Sequence, residues 1–345
     1  VWVNHREVGR TPLEIDFTYY GHYDVQGVDN PREAWTVDPF IGLKREGYLI
    51  ARGASDNKGP TFAHIKGIEA VLKSIDSLPY NIVFIIEGEE ECGSGALESF
   101  IDNGGLNEFA PFLCTVISDT SMYGPERPSL TVGLRGISYL EVTIQGPTQD
   151  VHSGLFGGII HNPNTVLIQA LGSLFDKSGN VSIPGFFENI VTISGEEKAS
   201  YQSLKAEKNQ YCRELGVSSL KSSPDFNNLE QRWTQPTLDV NYLNGGSPRT
   251  VIPAEAKGAL SARLVPGQDP LRIENLIKSQ IRSRIPKGAS VTFSNEHKAP
   301  AYLLDREHSL VQPALNAIRE GFKIEPLITR EGGSIPIVTN IAAHT

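Results

Sequence analysis

Apolar and polar residues alternate over residues 13–20 and stop at Gly21, the pattern of a strand that runs into a loop. Apolar residues then recur at Phe62, Ile65, Ile68, Ala70, Val71, Leu72 and Ile75. That is a helical period, and Lys58-Gly59-Pro60 leads into it. Residues 82–86 and 113–117 are short continuous apolar runs, as expected of strands buried on both faces. The first run stops at Glu87, where an acidic cluster begins, and the second stops just before Asp119. Two buried strands thus deliver carboxylates at their C-terminal ends, the edge where open α/β sheets place their ligand sites.

After Gly133 the texture changes. Residues 138–144 alternate like a half-exposed strand, and 163–175 is helical by period. Residues 237–243 and 255–264 read as further strands, 269–285 as a second amphipathic helix and 290–295 as a last strand. Two helices over four alternating strands predict a small α+β sandwich. The stretch 184–236 is polar with few periodic segments, so irregular chain or a mobile flap is expected there. Helix signals return over 308–322, followed by Leu327-Ile328-Thr329 and the turn-like Glu331-Gly332-Gly333-Ser334. No internal repeat or low-complexity tract interrupts this order.

With 345 residues and 39% hydrophobic content, the chain can bury a large core and is expected to form two domains. Its net charge of -9 argues against nucleic acid or an anionic membrane as partner. No apolar run is long enough to span a bilayer, and no secretory signal opens the sequence. Cys92, Cys114 and Cys212 are odd in number and widely spaced, which points away from a disulfide framework and towards a reducing, cytoplasmic setting. The chain starts at Val1 and its only methionine is Met122, which suggests a processed start or part of a longer product.

Four stretches carry candidate chemistry: Gly21-His22-Tyr23-Asp24-Val25-Gln26, Gly53-Ala54-Ser55-Asp56-Asn57-Lys58-Gly59, Glu87-Gly88-Glu89-Glu90-Glu91-Cys92-Gly93 and Ile117-Ser118-Asp119. An imidazole and several carboxylates are what borderline divalent metals such as zinc take as ligands. A spare carboxylate beside a ligand carboxylate can act as base towards water at such a metal. Asp24, two residues after His22, can orient that ring through its other nitrogen. Each residue also has a plainer role. His22 can be a loop histidine, Asp56 a helix N-cap, Asp119 a turn residue, and the acidic run a solvated face. A run that follows a buried strand needs counter-charge, however, and a metal supplies it. His152 fits a turn. Arg263 ends an apolar strand and needs a partner, either a bound carboxylate or a structural ion pair.

Together these stretches resemble the dizinc exopeptidase family of carnosine dipeptidases and cytosolic nonspecific (Cys-Gly) dipeptidases, which also takes in aminoacylases and glutamate carboxypeptidases. Asp150-Val151-His152-Ser153-Gly154, Pro248-Arg249-Thr250-Val251-Ile252-Pro253, Ser261-Ala262-Arg263-Leu264-Val265-Pro266 and Arg330-Glu331-Gly332-Gly333-Ser334-Ile335-Pro336 extend the likeness over nearly the whole chain. The resemblance implies a phosphorylase/hydrolase-like α/β catalytic domain (1–132 and 301–345) with an inserted α+β sandwich dimerisation, or lid, domain (133–300). It implies two divalent metal ions, zinc or else manganese. His22, Asp56, Glu91 and Asp119 would be ligands, with Asp56 bridging, Asp24 bracing His22 and Glu90 acting as base. His152 would reach the active site of the other chain in a homodimer. Thr250, Arg263 and Ser334 would hold the substrate.

The activity implied is hydrolysis of dipeptides or of small γ-glutamyl peptides such as glutathione. An N-acyl amino acid deacylase is the neighbouring possibility on the same fold. Two departures stand out. Asn57 replaces the usual aspartate after the bridging residue. With Arg232-Trp233-Thr234-Gln235-Pro236, it resembles the peptidase-like subunit of the fungal glutathione-degrading complex, without that subunit's propeller. This raises a catalytically weak partner subunit as an alternative. The family's last zinc ligand is a histidine well beyond the Gly-Gly-Ser-Ile-Pro turn, whereas this chain ends nine residues after Pro336. His344 comes too early, with the wrong flanks. The second metal site is therefore expected to be incomplete.

Overall fold

A computed structural model describes residues 16–28, 35–75, 77–107, 109, 111–124, 126–204, 208–221, 223 and 225–343. The chain divides into two compact units. One comprises Val1–Leu130, Glu307–Leu327 and Ile335–Thr345; the other comprises Thr131–Arg306 and Ile328–Ser334. Thr131, Val132, residues 301–306 and Ile328–Ser334 group with the second unit, although the expected splits at 132/133 and 300/301 put them with the first.

In the first unit, strand Phe17–His22 lies between Ile82–Glu87 and Cys114–Ile117, all three parallel. The register sets His22 opposite Glu87 and Tyr20 opposite Ile117. Parallel pairing brings the three C-terminal ends to one edge, which the alternation of the first strand and the acidic ends of the other two had indicated. Ile82–Glu87 is not buried on both faces as expected; its burial alternates. The helix Lys58–Ser74 forms where its period predicted, but the described residues leave its Phe62, Val71 and Leu72 exposed. It approaches the first strand closely at Gly21, where a Cβ would stand 2.1 Å from Thr61 Oγ1.

In the second unit, an antiparallel sheet runs Ser290–Ala299, Gly136–Gln145, Glu255–Leu264, Thr237–Asn244 in spatial order. Helices Pro163–Gly172 and Pro270–Arg282 cover one face. Leu140, Val142, Ile144 and Leu260 of the sheet meet Val166, Leu167, Ile273 and Ile277 in a single core. Both helices start with a side-chain cap, from Asn162 or Asp269, followed by proline in the first turn. The two-helix, four-strand sandwich is as the patterning predicted.

The polar stretch 184–236 departs from expectation. It contains the helices Gly195–Ser203, Lys208–Leu215 and Asn228–Thr234. The first and third are started by caps rather than by a long apolar stripe. Ser194 Oγ accepts from the Glu197 N–H at 3.0 Å, and Asn227 with Glu230 forms a full capping box. They bury only a few large residues, among them Tyr201, Leu229 and Trp233. Among the described residues no helix is long and apolar enough to cross a membrane.

Candidate metal centre

The edge of the parallel sheet in the first unit gathers one imidazole and four carboxylates. His22 is fully buried, and its Nδ1 lies 3.1 Å from Asp24 Oδ1. With Asp24 holding the ring through Nδ1, the tautomer protonated there would leave a lone pair on Nε2, the form that takes a metal. That lone pair faces Asp56 Oδ1 at 3.0 Å, Asp119 Oδ1 at 3.6 Å and Glu90 Oε2 at 3.9 Å. One ligand atom each from His22, Glu90 and Asp119 lies within 4.8 Å of the others. Acceptors converging on a lone pair repel one another unless a cation stands between them, so this donor set fits a divalent metal. Burial, then Asp119, Glu91 and Asp56, push the Glu90 carboxyl up to about 7 against the pull of His22. Burial also raises Asp119. Burial opposes protonation of His22, but the charges of Asp119, Glu90, Asp56 and Asp24 together raise it above the ordinary value.

The acidic run divides its labour. Buried Glu87 accepts from Tyr20 OH at 2.7 Å and Ser94 Oγ at 2.8 Å. Glu89 accepts from the Ala96 N–H at 3.0 Å, in the first turn of helix Gly95–Asp102. Of the adjacent pair, Glu90 faces His22. Glu91 Oε2 accepts from Gln26 Nε2 at 2.8 Å, and Glu91 Oε1 from the Gln26 N–H at 3.2 Å. Asp24 Oδ2 accepts from the Glu91 N–H at 3.0 Å, which ties the His22 loop to the acidic turn.

Asp56 does not cap the following helix; Asn57 occupies the N-cap position, and Asp56 is two-thirds exposed at 66%. Asn57, noted in the sequence only as a departure, is buried and holds the site together. Its Nδ2 donates to Asp119 Oδ1 at 2.6 Å and to Ser118 O at 3.2 Å, while its Oδ1 accepts from Thr61 Oγ1 at 2.6 Å. An ionised aspartate there could not donate to Asp119. Gln26, within the Gly-His-Tyr-Asp-Val-Gln motif, is a second residue whose contacts to Glu91 no sequence pattern marks.

The remaining expected residues belong to the second unit. His152 and Thr250 adjoin through antiparallel pairing of His152 with Val251, and both are exposed. His152 Nδ1 accepts from the Gly154 N–H at 3.0 Å, and the Thr250 carbonyl accepts from Ser153 Oγ at 2.9 Å. Arg263 Nη1 donates to Ser334 Oγ at 2.9 Å. Among the described residues no carboxylate lies within 4.0 Å of Arg263, so the structural ion pair weighed for it does not form there. His344 lies outside the described residues.

The model of Peptidase family M20/M25/M40 matches residues 18–342. The chain belongs to this family. It is similar to the Cys-Gly metallodipeptidase dug1 of Schizosaccharomyces pombe, at 32% identity over 96% of this chain and 71% of that protein. It is also similar to the human Beta-Ala-His dipeptidase, at 33% identity over 96% of this chain and 66% of the other. The crystal structure of human carnosine dipeptidase 1 superposes with a TM-score of 0.81 at 32% identity, over 97% of this chain and 73% of that one. This member of the family is a metallopeptidase of the dipeptidase type, with the family's mixed α/β fold. The likeness to the probable di- and tripeptidase DUG2 of Saccharomyces cerevisiae is lower, at 28% identity over 92% of this chain and 35% of that protein. The dipeptidases are thus the better match, and the alternative of a catalytically weak partner subunit is not favoured.

Loss of the Asp24 brace should be measurable at the metal. If His22 holds a divalent metal, Asp24→Ala is expected to weaken its binding, zinc being the ion to test, by about 10-fold to 100-fold, the usual effect of removing a carboxylate that orients a ligating histidine. Competition with a chelating dye reads this directly; unchanged affinity would deny Asp24 the role.

Proposed function

We propose that this chain hydrolyses the peptide bond of small peptides, with dipeptides of the Cys-Gly and β-alanyl-histidine kind as the first class to test and glutathione as the second. The observation that carries the proposal is the Asp24-braced His22 ring facing Asp56, Asp119 and Glu90. His22, Asp56 and Asp119 would hold one divalent ion, zinc before manganese; Asp56, through its exposed side, and Glu91 would hold a second. Bound there, such cations polarise the scissile carbonyl and lower the pKa of water. Glu90 takes the proton from the attacking water and passes it to the leaving amine. Thr250, Arg263 and Ser334 hold the peptide's backbone and terminal carboxylate.

Residues 1–132 and 301–345 would form the catalytic domain and 133–300 the dimerisation domain, with His152 of a second copy stabilising the oxyanion. The three cysteines, all free, fit a reducing compartment, and the proposed location is the cytoplasm. A panel of Cys-Gly, β-Ala-His, glutathione and an N-acetyl amino acid, offered to zinc-loaded protein, tests the substrate class. Turnover of the dipeptides is expected; turnover of the N-acetyl amino acid alone would assign a deacylase instead.

The shared site has its own test. Inactive His152→Ala chains mixed with inactive Glu90→Gln chains should regain part of the activity, because one hybrid site then holds both residues. Verified heterodimers that recover nothing would place His152 outside the chemistry.

A further inference from the structure

Three guanidinium groups from separate stretches of the second unit meet the turn Glu331-Gly332-Gly333-Ser334. Arg135, between the strands Ser129–Leu134 and Gly136–Gln145, donates from Nε to Gly332 O at 2.7 Å. Its backbone N–H donates to Gly333 O at 3.1 Å. Arg263 donates to Ser334 Oγ at 2.9 Å. Arg232, on helix Asn228–Thr234, lies against Gly332; a Cβ on that glycine would meet Arg232 Cγ at 3.0 Å and Arg135 Nη2 at 3.3 Å. The turn is therefore clasped from two sides and has no room for a larger residue without a shift.

Two of the three charges around it have no close carboxylate partner among the described residues. Arg135 and Arg263 are both half-buried, and among the described residues neither has a carboxylate within 4.0 Å. Their hydrogen-bond partners are carbonyls and a hydroxyl. Arg232 has Glu331 Oε1 at 4.0 Å. Burial, with Arg263 and Arg232 nearby, lowers Arg135 to about 10, and Asp239 and Glu331 only partly offset this. Arg135 stays charged at neutral pH. Half-buried cations whose close partners are all neutral favour the arrival of an anion.

We propose that Arg135 is a positioning residue of the carboxylate pocket. Its Nε and backbone amide lock the Gly332-Gly333 turn so that Ser334 Oγ and Arg263 stay aimed at a free terminal carboxylate. Its own charge adds to the preference for a free acid over an amide. The inference rests on the reading that Arg263 and Ser334 receive the substrate's terminal carboxylate.

The test compares a dipeptide with its C-terminal amide. Kd is read by calorimetry on zinc-loaded protein, and KM and kcat where turnover occurs. Arg135→Gln is expected to weaken Kd and raise KM for the free acid by about tenfold or more, the usual weight of a charged hydrogen bond. Affinity for the amide should shift by less than about threefold, and kcat for the free acid should hold within the same range, since the chemistry is untouched. Arg135→Lys, which keeps the charge without the fork, should fall between. Gly332→Ala reaches the same turn with all three arginines present and should weaken the free acid in the same direction, which keeps the test available if Arg135→Gln does not fold.

Equal losses for acid and amide, or no change in either, would overturn the role of Arg135. A parent protein that binds acid and amide equally would overturn both Arg135 and the carboxylate pocket. A parent that prefers the acid but hydrolyses neither, with the variants behaving as described, would leave Arg135 standing and remove the peptidase reading.

Discussion

Replacing Glu90 by glutamine is expected to lower peptide hydrolysis by about 100-fold to 10,000-fold, the range for loss of a general base, while zinc remains bound. The side chain sits at the meeting point of His22 and Asp119, and glutamine keeps its shape but cannot accept a proton. The neighbouring Glu91→Ala should behave differently, losing metal from the proposed second position while the ion at His22 is retained. Elemental analysis beside the rate assay separates the roles. Because Glu90 Oε2 is only 3.9 Å from His22 Nε2, the contrary outcome is concrete: if Glu90→Gln sheds zinc and Glu91→Ala does not, Glu90 is the ligand. Activity within a few-fold of the parent would remove Glu90 from the mechanism.

The largest effect on stability is expected at Glu197. The residue is 5% exposed, and its carboxylate takes a two-pronged bond from Arg330 at 2.8 and 2.9 Å and also accepts from Tyr201 OH. Arg306 Nη2 stands 3.7 Å away. Glu197→Ala would strand Arg330, itself buried, without its counter-charge. Removing one partner of such a pair destabilises by about 3–5 kcal/mol, or roughly 6 °C or more in Tm at about 2–4 °C per kcal/mol. The pH dependence has a definite sign. Burial raises the Glu197 carboxyl, but Tyr201, Arg330 and Arg306 outweigh it and hold the folded-state value below the ordinary one. This contribution is therefore complete above the usual carboxylate range and is lost as pH falls through the lowered value. Thermal unfolding of Glu197→Gln should show a flatter acid limb than the parent. A change in Tm below about 2 °C for Glu197→Ala, equivalent to roughly 1 kcal/mol, would mean the pair is not structural.

The α+β sandwich was legible because long periodic elements carry their own signal. Residues 255–264 alternate cleanly, and the strand Glu255–Leu264 has those bounds. The centre was legible for a different reason: apolar strands that end in His22, in Glu87 and two residues before Asp119 leave charge where parallel pairing must collect it. The helices within 184–236 were missed because their signal is local. Ser194 with Glu197 and Asn227 with Glu230 mark two helix starts, but helices this short show little periodicity. The parts played by Asn57 and Arg135 were also invisible. Each works by donating to an atom far away in sequence, Asp119 Oδ1 and Gly332 O respectively. Nothing in a single chain's spacing reports such a partner.

The central claim is that one cation-binding cluster around His22 performs the hydrolysis. It is tested most directly by titrating zinc back into chelator-treated protein while Cys-Gly hydrolysis is followed, with His22→Ala run in parallel. The parent should lose activity to the chelator and regain it with zinc, in two steps if the ions bind unequally. His22→Ala should stay inactive at zinc concentrations that saturate the parent. Hydrolysis that survives the chelator, or a His22→Ala chain that zinc restores to the parent's rate, would contradict the account.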